Sequence, residues 1–132
     1  MKIFLILFCL LALSFSCNHE QLPESFETGE TKVFKAGDDY LSAVESLKFK
    51  ISEIQDSRCP VDVVCIWQGE VAITINVATP VNGMLRLSTF DNQTDTLGKY
   101  SFELVEVTPH PVSNEIIRLE DYDITLQVNK LD

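Results

Sequence analysis

Cations are scarce in this chain. Ten Lys and Arg stand against 20 Asp and Glu over 132 residues, a formal net charge of −10. So acidic a surface repels nucleic acid and anionic membrane, which excludes nucleic-acid binding as a function class. Glycine is sparse too: five residues, at positions 29, 37, 69, 83 and 98, form no loop able to cradle a phosphate. No nucleotide site is expected. Past residue 31 the only histidine is His110, held between Pro109 and Pro111, and no Gly-x-Ser-x-Gly elbow is present. Nucleophilic catalysis therefore has little to build on. Carboxylates are plentiful (Asp38-Asp39, Asp91 with Asp95, Glu120-Asp121 with Asp123), yet none has the ordered spacing of a calcium loop. No metal and no cofactor is expected.

The first residues carry a different signal. Met1-Lys2 supplies one positive charge, "IFLILFCLLAL" is an apolar run of eleven, and Ser14-Phe15-Ser16 leads into Cys17. A short charged start, a short apolar stretch and small residues read as a secretory signal over 1–16. The run is shorter than the ~20 residues a membrane-spanning helix needs. "LSFSC" resembles the lipobox of bacterial lipoproteins, although Leu13 sits one place further out than in that motif. The resemblance implies that Cys17 is acylated and anchors the chain in a bacterial cell envelope; the outer membrane is expected in preference to the inner, although "NHEQ" after Cys17 is no sorting signal. The chain turns polar immediately afterwards ("NHEQLPE"). Of four cysteines, Cys9 then leaves with the signal and Cys17 carries lipid. Cys59 and Cys65 remain as an even pair in an oxidising compartment.

Without Lys2, residues 17–132 hold 9 basic against 20 acidic side chains, a net charge of −11. Their length suits one domain with one core. Residues 17–31 are polar, acidic and without apolar periodicity, which reads as a flexible tether. Residues 32–132 read as strands. Apolar residues alternate in "LKFKISEI" (47–54), "EVAITINVA" (70–78), "MLRLSTF" (84–90), "YSFELVEV" (100–107) and "YDITLQV" (122–128). "TPVNG" (79–83) carries the Asn-Gly pair of tight hairpins, while "DNQTDTLG" (91–98) and "TPHPVSN" (108–114) read as turn-rich connections. The expected fold is an all-β antiparallel sandwich of about seven strands, with a small barrel as the alternative. Residues 38–45 are ambiguous. Tyr40, Val44, Leu47 and Ile51 fall at helical spacing behind two Asp residues, although strand is preferred.

Within "SRCPVDVVCIWQGE" (57–70), five residues separate Cys59 from Cys65. Redox centres use Cys-x-x-Cys at a helix start, and tetrahedral zinc wants about four N or S ligands. Neither pattern is met, so the pair is expected to be a structural disulfide, worth roughly 2 kcal/mol in the chain-entropy treatment. Trp67 is expected to pack over the bridge or the sandwich edge. Asp56 and Arg58 are the polar residues most worth weighing for binding: Arg58 could grip a carboxylate or phosphate, or the two could pair with each other and hold the loop.

Asp56, Ser57, Arg58, Cys59, Pro60, Cys65, Trp67 and Gly69 together resemble a motif of small, uncharacterised bacterial secreted proteins and lipoproteins: Asp-Ser-Arg-Cys-Pro, four residues, then Cys-x-Trp-x-Gly. Asp121-Tyr122 after a Pro-rich turn is similar as well. The resemblance implies a secreted β-domain with a local disulfide and no assigned activity. Two functions are therefore expected to compete. One is a non-enzymatic binding or accessory module, attached to the membrane through Cys17 and contacting another envelope protein. The other is a small hydrolase or inhibitor-like effector acting through Asp56, Arg58 and the loop around Trp67.

Overall fold

A computed structural model describes residues 22–132. The signal segment 1–16 and Cys17 lie outside the described residues. Nine strands follow in chain order among those residues: β1 (Glu24–Phe26), β2 (Thr31–Lys35), β3 (Asp39–Ser42), β4 (Lys48–Asp56), β5 (Val71–Thr79), β6 (Gly83–Ser88), β7 (Thr94–Leu97), β8 (Tyr100–Thr108) and β9 (Asp123–Lys130). They form a five-stranded sheet in the order β1-β3-β4-β5-β6 and a four-stranded sheet in the order β2-β9-β8-β7. The two open sheets pack face to face as a sandwich; they do not close into a barrel. Every pairing is antiparallel except β1 with β3.

The alternation in the sequence sets which side chains meet between the sheets. Phe49 and Ile51 of β4, Ile73 and Ile75 of β5, Phe102 and Leu104 of β8, and Ile124 and Leu126 of β9 are all buried there. Aromatic residues fill one region of this core. Phe26, Phe34, Tyr40 and Phe49 contact one another with ring centroids between 4.8 and 5.7 Å apart, mostly edge to face. Register breaks between Ile51 and Glu53 and between Leu104 and Glu106 shift the inward face by one residue. Ile54 and Val107 then point to the core in place of Glu53 and Glu106.

Several expectations need correction. The tether expected over 17–31 gives way to ordered chain by Glu24, because β1 pairs with β3 and buries Phe26. The preference for strand within 38–45 holds: residues 39–42 are strand, the helical spacing of Tyr40, Val44 and Leu47 is incidental, and Val44 is exposed in the turn that follows. Residues 94–97, expected within a connection, form the edge strand β7. The Asn-Gly pair does not make a two-residue turn: Val77 pairs with Gly83, so residues 78–82 form the crossing.

The register defines two ends. At the cysteine end Asp56 pairs with Val71 in one sheet and Thr108 with Asp123 in the other. At the far end Lys48 pairs with Thr79, and Tyr100 with Lys130. Among the described residues no helix is long and apolar enough to cross a membrane.

Candidate functional site

Beyond Asp56 and Val71 the β4–β5 ladder continues past the body of the sandwich. The Ser57 N–H donates to the Glu70 carbonyl at 2.8 Å, and the Cys59 N–H to the Gln68 carbonyl at 2.8 Å. The Ser57 hydroxyl adds a bond to the same Glu70 carbonyl at 2.9 Å. Gly69 is what permits this approach. It has φ +67°, and a Cβ there would lie 1.8 Å from the Ser57 carbonyl oxygen, so no other residue fits without parting the two chains. Cys59 and Cys65 are joined by a disulfide that closes the apex of the extension.

Asp56 and Arg58 find each other at its base. Arg58 donates Nε to Asp56 Oδ1 at 2.9 Å and Nη2 to Oδ2 at 2.6 Å, a bidentate pair. Nη1 also donates to the Val107 carbonyl at 2.7 Å and Nη2 to the Pro109 carbonyl at 2.8 Å. The Tyr122 hydroxyl donates to Asp56 Oδ2 at 3.1 Å. The two side chains are only 10% and 7% exposed for Arg58 and Asp56. This cluster clasps the end of β4 to the end of β8 and the start of β9. Burial by itself would raise the Asp56 carboxyl, but hydrogen bonds from Arg58 and its positive charge outweigh burial and hold the group below its ordinary value. Tyr122 moves the other way, pushed up to about 12 by burial and by the neighbouring Asp56 charge.

The loop also docks sideways onto residues 108–114. The Val61 N–H donates to the Pro111 carbonyl at 3.0 Å. The Ser113 N–H donates to Asp62 Oδ1 at 2.8 Å, and its hydroxyl bonds Oδ2 of the same carboxylate. His110 Nε2 lies 3.0 Å from the Cys59 carbonyl oxygen. The histidine considered for catalysis is therefore tied to loop backbone, and no hydroxyl nucleophile is bonded to it.

With its polar groups spent on its own shape, the extension turns apolar side chains outward. Val61, Val63, Val64, Ile66 and Trp67 are exposed, Val64 and Ile66 completely. Of the two places expected for Trp67, its ring takes the sandwich edge, beside the end of edge strand β6. It stands 67% exposed, and its ring meets Phe90, itself 65% exposed, edge to face at 5.6 Å between centroids. Val63, Val64 and Phe90 line one open groove beside the bridge. Phe90 follows β6 and closes the run 84–90 out of phase with Leu85 and Leu87, and pattern reading took it as strand rather than as a site residue. Tyr122 was visible as the start of a strand run and as part of the Asp-Tyr pair, not as a partner of Asp56, and the two carbonyls that hold Arg58 leave no mark in a sequence.

The expected site residues thus separate into two sets. Asp56 and Arg58 come together, but facing inward. Trp67 faces out, with Phe90 and the loop valines. Among the described residues no three His, Cys, Asp or Glu side chains converge as a metal site. Compared with known proteins, the chain matches no family model, no curated protein and no solved structure. The roles of these residues rest on geometry.

Proposed function

We propose that this protein is a lipid-anchored component of a bacterial cell envelope, held by Cys17, and that it acts as a non-enzymatic binding or accessory module whose contact surface is the cysteine end. One observation carries the reading: a disulfide-closed loop presents Val61, Val64, Ile66 and Trp67, with Phe90 beside them, to solvent. Large apolar side chains gathered on a soluble surface lose free energy by staying wet, and gatherings of this kind mark interaction sites. A loop already held by backbone bonds and a bridge has little conformational freedom left to lose on contact, which favours affinity. The hydrolase alternative has less support. Arg58 spends three of its nitrogens on Asp56, Val107 and Pro109, so it offers a substrate no free fork.

Two measurements test the two halves of this reading. Replacing Cys17 by Ser should move the protein from the membrane fraction to the soluble fraction; a protein that stays with the membrane has another anchor. Cross-linking in intact cells followed by affinity purification should recover an envelope protein in fixed ratio with the wild type. The Val64→Ser/Ile66→Ser double variant should lose it. Equal recovery from both would place the contact elsewhere on the sandwich.

A further inference from the structure

The charges around the exposed loop narrow the kind of surface that can receive it. Of the cations at the cysteine end, three are in ion pairs: Arg58 with Asp56 at 2.6 Å, Lys35 with Asp123 at 2.6 Å, and Arg118 with Asp121 and Glu120 at 3.0 and 3.3 Å; Arg86 donates to the Gln55 side-chain oxygen at 3.0 Å. The carboxylates nearest the apolar residues are in another state. Asp62 lies within the loop, Glu70 at its foot, Asp91 next to Phe90, and Glu115 beside Pro60 along the flanking cleft. Asp62 and Glu70 accept only hydroxyl or backbone hydrogen bonds, and none of the four makes an ion pair among the described residues. Arg86 shares the cleft of Glu70 and Asp91 without an ion pair, so the apolar centre is flanked by a rim on which these four carboxylates outnumber one cation.

Three receiving surfaces are conceivable, and the rim separates them. A bilayer would accept the apolar side chains, but segments that insert into envelope lipid carry Lys and Arg for the anionic headgroups, and this rim carries the opposite sign. A second copy would bring two like rims together across a two-fold axis, in molecules already carrying −10 each. A protein cleft with an apolar floor and a basic margin matches both the centre and the rim. Building on the proposed function, we infer that the cysteine end seats in an apolar cleft of a partner protein whose rim carries Lys and Arg side chains. Val64, Ile66 and Trp67 enter the cleft; Asp91 and Glu115 meet its basic margin.

The test places a photo-reactive p-benzoylphenylalanine at Ile66 in the full chain and irradiates intact cells, with adducts mapped by mass spectrometry. The expected adduct joins position 66 to an apolar segment of one envelope protein, with Lys or Arg nearby in its sequence. Charge reversal at two exposed rim positions, Asp91→Lys with Glu115→Lys, should lower adduct yield by about tenfold or more, while Asp91→Asn with Glu115→Gln lowers it less. In isolated envelopes the yield should also fall as NaCl rises from about 0.05 to about 0.5 M. A protein adduct indifferent to salt and to charge reversal overturns the basic margin, and so does an adduct found only on lipid or on a second copy. Each of those results leaves the contact surface standing. No adduct of any kind at position 66 overturns the proposed function as well.

Discussion

The far end of the sandwich is built in the ordinary way. Glu45 accepts hydrogen bonds from the Tyr100 hydroxyl at 3.0 Å and from Lys130 at 3.1 Å, and Lys99 and Lys130 face water. The cysteine end reverses that arrangement. Its strongest polar pair is folded inward, and where the far end exposes Val44, Val81 and Met84, the cysteine end exposes an aromatic pair, Trp67 with Phe90, together with Val61, Val64 and Ile66. A small domain has no folding reason to expose Ile66 and Trp67 while burying Arg58. The inversion is coherent only if the buried ions hold the loop and the exposed carbons serve something other than the core.

The largest expected effect tests the inward half. Arg58→Ala strands the Asp56 carboxylate and leaves the Val107 and Pro109 carbonyls without their donor, a change that should cost about 3–5 kcal/mol in urea denaturation. At the far end Glu45→Ala removes a more exposed cluster and should cost about 1 kcal/mol. Equal costs at the two ends would dissolve the contrast. Cys59→Ser with Cys65→Ser comes next, at about 2 kcal/mol, because the bridge closes a short loop.

Alkaline pH offers a finer probe of the clasp. Tyr122 is neutral in the folded state up to about 12, against an ordinary value of 10.0, so its contribution is complete below pH 10 and is lost as pH rises through that window. Denaturation midpoints followed from neutral pH upward should therefore fall, and Tyr122→Phe should flatten the fall. Asp56 gives the mirror-image limb: its depressed carboxyl contributes above its ordinary value and ceases to as pH falls through the folded one. The smallest effect belongs to the outward half. Ile66→Ser touches nothing in the core and should change stability by less than about 0.5 kcal/mol. A larger loss would mean that Ile66 packs against its own chain.

Much of the fold was legible because its main strands are half-buried and alternate cleanly. β4, β5, β8 and β9 each lie within two residues or so of the run that announced them. β7 was hidden because it is an edge strand of Thr, Asp, Thr and Leu, which presents almost no apolar face. β1 was hidden because only Phe26 in its three residues is buried. The disulfide followed from counting cysteines and from the absence of redox or zinc spacing, while the pairing of Asp56 with Arg58 was one of two readings that the sequence left open. The exposure of Trp67 was not legible. An apolar residue after a strand-like run looks the same in sequence whether it faces the core or water.

The close Ser57–Gly69 approach separates what must stay from what can change. The loop is held by main-chain bonds at 57, 59, 61, 68 and 70, by Gly69, by the bridge, and by Asp62 against Ser113. The side chains at 61, 64, 66 and 67 contribute little to that frame. Positions 61, 64 and 66, which unlike Trp67 lie outside the fixed positions of the motif, can be rewritten without relearning how to fold. On the proposed function, a single substitution there changes the contact surface while the frame beneath it stays as it is.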